Sequence, residues 1–92
     1  MRILGYIEHD YIKMTVFEDN GKNILQCEDG LCQLTYKFRQ SDLISDLDSI
    51  QRVVDEKLSR EIENQLKSMH QIKKSAIDRV MQDIEDEFDT II

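Results

Sequence analysis

The pattern of apolar and polar residues changes once along this chain, near residue 40. Before that point apolar and polar residues alternate, which is typical of strands with one buried face. After it, apolar residues recur every three or four positions, which is typical of an amphipathic helix. The sequence therefore predicts an α+β fold in a single domain, 1–92, with a β-meander over 1–40 and a helical part over 41–92.

Three polar dipeptides divide the first half of the chain into four predicted strands. They are His9-Asp10, Asn20-Gly21 and Asp29-Gly30. The two that contain glycine are the stronger hairpin signals, because a two-residue type I′ turn needs positive φ at both central positions. We predict a four-stranded antiparallel sheet whose strands lie at about 2–8, 11–18, 23–28 and 31–39.

Two-residue loops fix the cross-strand register, and all three hairpins then place apolar residues on the same face of the sheet. This predicted core face carries Ile3, Ile7, Ile12, Met14, Val16, Leu25, Cys27, Cys32, Leu34, Tyr36 and Phe38. The opposite face is mostly polar, but four larger side chains lie near one another on its first three strands: Leu4, Tyr6, Phe17 and Ile24. These four are either ordinary residues of a solvated sheet face or a small partner patch.

The second half contains neither Gly nor Pro after Ser41 and predicts a long C-terminal helix, or two helices, at about 48–90. Asp48 and Gln51 resemble a capping box at its start, and a short helical turn is expected over 42–46. The apolar spacing allows a kink or a change of packing partner near 67–71. Such a helix is about 60 Å long, whereas strands of this length reach about 23 Å. Its first half is expected to cover one face of the sheet. Its second half is expected to need another helix, either from the same chain after a reversal or from a second copy.

The whole chain has 19 acidic and 12 basic residues and a net charge of −7. In the second half of the chain these charges are grouped in blocks. Residues 64–82 hold four bases and one acid, while 83–92 hold five acids and no base. Two antiparallel copies of this helix that cross near Asp78 would pair the basic block of each with the acidic end of the other. The predicted homodimer interface consists of Ile77, Val80, Met81, Ile84 and Phe88.

Candidate chemistry is sparse in the sequence. The predicted register places Cys27 directly opposite Cys32, so these residues are either a redox pair or two reduced core thiols. We find no metal-ligand spacing, no cofactor motif and no set of nucleophile, base and orienting residue. No catalytic residue, metal or cofactor is therefore expected.

The composition also bears on compartment and partners. We find no signal peptide and no apolar stretch that could span a membrane, and two cysteines are too few for a disulfide scaffold. Negative charge does not suit direct binding to nucleic acid, but it suits a basic protein partner.

We predict a cytoplasmic, non-catalytic interaction or adaptor protein that forms a homodimer through its C-terminal helices. One alternative is an acidic binder or inhibitor that masks a basic, nucleic-acid-binding partner. Another alternative is a thiol redox-responsive protein that uses Cys27 and Cys32.

Overall fold

The computed structural model describes the chain from residue 1 to residue 91, with the side chains of residues 1–84. Four strands form an antiparallel sheet in sequential order and two helices follow, which confirms the predicted α+β meander. The elements are β1 (Arg2–Ile7), β2 (Lys13–Asp19), β3 (Lys22–Asp29), β4 (Cys32–Arg39), α1 (Leu47–Val53) and α2 (Glu56–Ile91).

The central hairpin, β2–β3, has the predicted turn and the predicted register. Asn20 and Gly21 both have positive φ, at 50° and 74°, as a type I′ turn requires. Across the two strands Met14 is opposite Cys27, and Val16 is opposite Leu25.

The loop of the β3–β4 hairpin lies one residue later than predicted, which shifts the cross-strand register by two residues. The loop is Gly30-Leu31 rather than Asp29-Gly30, and Gly30 occupies the first loop position with a φ of 60°. A glycine in that position is typical of a type II′ turn, whereas a type I′ turn was predicted. Because the register between β3 and β4 is displaced by two residues, every side chain keeps its predicted face but has a different cross-strand partner.

The β1–β2 connection is also wrong in the prediction, because it is a five-residue loop over residues 8–12 and not a two-residue turn. Its shape is fixed by His9, whose Nδ1 accepts hydrogen bonds from the backbone amides of Tyr11 (3.3 Å) and Ile12 (3.2 Å). Ile7 is consequently opposite Met14 instead of Ile12.

A β-bulge at Leu4 reverses the predicted faces at the start of β1. Gly5 pairs with Val16 but Ile3 pairs with Phe17, so Leu4 has no direct partner. Leu4 packs against the core, and Ile3, predicted in the core, is 53% exposed on the opposite face. The predicted assignment of these two residues is wrong, since no pattern of alternation anticipates an extra residue.

The helices begin at different residues from those predicted. The capping box is formed by Asp46 and Ser49, each side chain bonding the backbone of the other residue, and not by Asp48 and Gln51. Residues 42–46 form bends rather than a helical turn. After α1, Asp55 starts α2 by accepting the amide of Leu58 on its side chain at 2.8 Å. From there α2 continues without interruption through 67–71.

The core lies between one face of the sheet and the first half of the helical part, as predicted. Its fully or nearly fully buried residues are Ile12, Met14, Val16, Leu25, Cys27, Cys32, Ile50, Ile62 and Leu66. Met69 is the last residue of α2 that packs against this cluster, and Ile72 is 68% exposed. The packing of α2 against the core therefore ends between these two residues, and no second packing partner is present for the described side chains that follow.

Candidate functional site

A cysteine, a histidine and an aspartate meet where the β3–β4 turn lies against the middle of α2. The Sγ atom of Cys32 is 3.4 Å from Nδ1 of His70. On the other side of the same imidazole ring, Nε2 is 3.5 Å from a carboxylate oxygen of Asp29. We call these three residues the thiol–imidazole site.

The partners of His70 favour one of the two neutral forms of its ring. The carboxylate of Asp29 can only accept, so it favours the tautomer with hydrogen on Nε2. Nδ1 then has a free lone pair directed at Sγ of Cys32, and the thiol is the donor in that contact. This order of carboxylate, imidazole and nucleophile is the arrangement in which a histidine removes a proton from a thiol or a hydroxyl.

The backbone places these three residues together by means of the turn and the helix. Asp29 and Cys32 are the residues that flank the Gly30-Leu31 loop and are paired across it. His70 reaches this loop because α2 crosses the sheet, and a Cβ at Gly30 would be 3.8 Å from its ring. The site is partly open, with about a third of the side-chain surfaces of His70 and Asp29 exposed (39% and 34%).

The two cysteines have different surroundings. Cys27 is fully buried, and desolvation raises the pKa of its thiol to about 11. Cys32 keeps 6% of its surface exposed and contacts the imidazole. Cys27 is opposite Leu34 and Cys32 is opposite Asp29, so the predicted direct opposition of the two cysteines is wrong. Both are free thiols.

The thiol–imidazole site could not be predicted from the sequence, because His70 is 38 residues from Cys32. The distance along the chain gives no sign of the contact, and the predicted register moved Asp29 into the turn. Placing His70 would have required the position of α2 along the sheet. Among the residues whose side chains are described, no three His, Cys, Asp or Glu side chains converge to hold a metal ion.

A second histidine lies on the same side of α2, at the β1–β2 loop. Nε2 of His9 is 2.7 Å from a carboxylate oxygen of Glu63. Since its Nδ1 accepts two backbone amides, His9 is the neutral Nε2–H tautomer and donates to Glu63. Partial desolvation and the carboxylates of Glu63 and Asp29 raise the pKa of the nearby Tyr11 hydroxyl. Because both ring nitrogens of His9 already have hydrogen-bond partners, this residue serves to hold the β1–β2 loop in place.

Beyond the sheet, α2 exposes a series of apolar side chains. Those predicted for the dimer interface are exposed by about half or more: Ile77 (49%), Val80 (59%), Met81 (58%) and Ile84 (47%). Phe88, the fifth predicted residue, lies outside the residues whose side chains are described. The four described residues share one side of the helix, because they are three or four positions apart. We call them the helix face.

The four residues of the predicted partner patch are not placed alike. Tyr6 is exposed, Phe17 is half-buried, Ile24 is 7% exposed and Leu4 packs against the core. Ile3 takes the place of Leu4 beside Phe17. The face therefore presents less continuous apolar surface than the alternation predicted, and its role in binding a partner remains a prediction.

Neither a protein-family model, nor a curated protein, nor a solved structure matches this chain. Within the residues that the structure describes, no helix is both long and apolar enough to cross a membrane.

Proposed function

We propose that this protein is a non-catalytic interaction protein that forms an antiparallel homodimer through the helix face. The observation that carries the proposal is the exposed apolar side of α2 between Met69 and Ile84, the last residue whose side chain is described. A second copy of the chain is the occupant that we assign to it.

The helix face continues the side of α2 that packs on the sheet. Val80 follows Ile62 by 18 residues, and Ile84 follows Leu66 by the same interval. Eighteen residues are five full turns of an α-helix, so each pair points in the same direction. Ile62 and Leu66 are completely buried, whereas Val80 and Ile84 have no sheet beneath them. A side of a helix that is buried at one end and carries exposed apolar residues again from Ile77 to Ile84 is suited to a second apolar surface.

Charge favours a second copy in antiparallel orientation. When two helices cross at Asp78, Lys73 of one chain meets Asp83 of the other, since both are five residues from the crossing point. In a parallel pair the acidic residues from 83 onward would lie side by side and repel one another. Burial of the helix face would supply the affinity, and the charges would select the orientation.

The test is the mass of the protein in solution, measured by light scattering at tens of micromolar chain. We expect twice the chain mass of 10.9 kDa. The double variant Val80→Asp with Ile84→Asp should give the single chain mass and keep its circular dichroism in the sheet region, because these residues lie beyond the core.

A matched control adds the same two charges to the other side of the helix. Ser75→Asp with Gln82→Asp should leave the dimer intact, because both residues point away from the helix face at 100° per residue. A monomeric wild-type protein, or equal dissociation of both double variants, would contradict the proposal.

A further inference from the structure

We propose that Cys32 is a peroxide-reactive thiol and that His70 is the base that activates it. This inference goes beyond the proposed dimer, and the groove beside the site shares Lys73 and Ile77 with the proposed dimer contacts. It rests on the thiol–imidazole site and on the different surroundings of the two cysteines.

The geometry provides the first step, which is removal of the thiol proton. Sγ of Cys32 is 3.4 Å from Nδ1 of His70, within reach of a proton transfer. Asp29, 3.5 Å from Nε2, keeps the hydrogen on that nitrogen and would stabilise the positive charge that the ring gains. Thiolate and not thiol is the nucleophile in such reactions.

A groove of about 290 Å³ lies beside the imidazole, and Cys32 itself keeps 6% of its surface exposed. The groove is lined by Leu31, His70, Lys73, Lys74 and Ile77. The two lysines place positive charge beside the imidazole, where the reaction develops negative charge on sulfur and on the leaving oxygen. The groove accommodates a small, uncharged electrophile such as hydrogen peroxide.

The reaction is a two-electron oxidation of Cys32 by hydrogen peroxide. The thiol proton moves to Nδ1 of His70, and sulfur attacks one oxygen of the peroxide. An S–O bond forms as the O–O bond breaks, and the leaving hydroxide takes the proton from His70 to become water. The products are a sulfenic acid at Cys32 and one water molecule, with sulfur oxidised and peroxide reduced.

Cys27 is not placed to convert this sulfenic acid into a disulfide. Because Cys27 is paired with Leu34, Cys32 is its diagonal neighbour on the next strand. Diagonal neighbours are about 7–8 Å apart, beyond the Cα separation of about 4.4–6.8 Å usual for a disulfide. The sulfenic acid should therefore persist long enough to be trapped by a 1,3-dione.

The experiment treats the full chain with hydrogen peroxide in the presence of the 1,3-dione and locates the adduct by mass spectrometry. Cleavage after Glu28 separates the two cysteines into different peptides. We expect the adduct on Cys32 and less than about a tenth as much on Cys27, which is fully buried. His70→Gln should slow the reaction of Cys32 by about tenfold or more, since general bases contribute such factors.

Two controls separate activation from a purely structural effect. Glu63→Gln alters the neighbouring histidine contact but leaves His70 in place, so it should not change the rate at Cys32. The second control is the pH dependence of the two rates. In His70→Gln the thiol of Cys32 has no base beside it and should lose reactivity as the pH falls from mildly alkaline to neutral. The ratio of the wild-type rate to the His70→Gln rate should therefore rise over this range. Equal rates in wild type and in a folded His70→Gln variant would overturn the proposal, as would equal labelling of Cys27 or an intramolecular Cys27–Cys32 disulfide.

Discussion

Hydrogen-bond partners decide what each of the two histidines can do. His9 accepts two backbone amides and donates to Glu63, so neither of its nitrogens is available for chemistry. His70 directs one nitrogen at Asp29 and the other at a thiol. The first residue is a structural element of a loop, and the second is equipped to move a proton.

The role of His9 predicts a loss of stability when it is removed. His9→Ala leaves two backbone amides and the Glu63 carboxylate without their partner, at a cost of about 1–3 kcal/mol in the free energy of unfolding. Glu63→Gln keeps an acceptor oxygen opposite Nε2 and should cost less. Urea unfolding followed by circular dichroism measures both, and an equal or larger loss in Glu63→Gln would argue against the amide contacts as the main contribution.

The N-cap of α1 predicts a dependence of stability on pH. Hydrogen bonds from the backbone and side chain of Ser49 lower the pKa of the Asp46 carboxyl below its ordinary value. A carboxyl whose pKa is lower in the folded state stabilises the fold above its unfolded pKa of about 3.9 and loses that contribution as the pH falls through the folded value.

Two substitutions separate the hydrogen bond of this cap from its charge. Asp46→Asn retains a capping oxygen, so it should keep most of the stability at neutral pH and lose part of the acid dependence. Asp46→Ala should lower the melting temperature at neutral pH as well. Thermal melts at neutral pH and at about pH 3 make the comparison. An unchanged acid dependence in Asp46→Asn would exclude this carboxyl as a contributor.

At the scale of strands, the faces of the sheet were predictable and the partners across it were not. Side chains alternate between the two faces with a period of two residues. The two-residue error in the β3–β4 register therefore left Leu25 and Leu34 on the core face. The same error separated Cys27 from Cys32, because a cross-strand contact depends on the turn itself. At Leu4 the bulge adds one residue to β1, so the alternation of faces is reversed before it and the predicted face was wrong as well.

The assignment of faces predicts unequal effects of two truncations in neighbouring strands. Leu25 is fully buried between Val16 and Tyr36, so Leu25→Ala should lower the free energy of unfolding by about 2–5 kcal/mol. Thr35 is exposed on the other face, and Thr35→Ala should change it by less than about 0.5 kcal/mol. Denaturant unfolding measures both, and similar losses would refute the assigned faces.

At the scale of helices, the periodicity of apolar residues identified the buried side of α2. It did not identify the residue at which each helix begins. Asp46 and Asp55 are the caps, yet the sequence offers several acids before apolar runs, and only the packing of α1 selects among them. The thiol–imidazole site depends on the same information. His70 meets Cys32 only because α2 begins where Asp55 places it.

The whole molecule is much longer than a compact chain of its size. Its radius of gyration is 18.6 Å and its longest dimension is 67 Å, whereas a compact chain of 92 residues has a radius of gyration of about 12 Å. The excess length is the second half of α2, which leaves the sheet after Met69. The folding unit and the proposed association surface are therefore separate parts of one continuous helix.

The proposed antiparallel dimer predicts that reversing one charge weakens the dimer and that reversing its partner charge as well restores it. Lys73→Asp would bring two acids together at both symmetry-related contacts and weaken the dimer. Each exposed pair is worth about 0.2–1 kcal/mol, so two contacts amount to a change in Kd of up to about thirtyfold. Adding Asp83→Lys to the same chain restores opposite charges at both contacts and should return the Kd to near the wild-type value.

Sedimentation equilibrium at low salt measures the three dissociation constants, and high salt should bring them together because exposed pairs are screened. The result also distinguishes the two orientations. In a parallel dimer residue 73 would face residue 73 of the partner, and Lys73→Asp would exchange one like-charged pair for another with no rescue by Asp83→Lys. Recovery in the double variant alone would therefore identify the antiparallel arrangement, and its failure would refute this pairing even if the protein is a dimer.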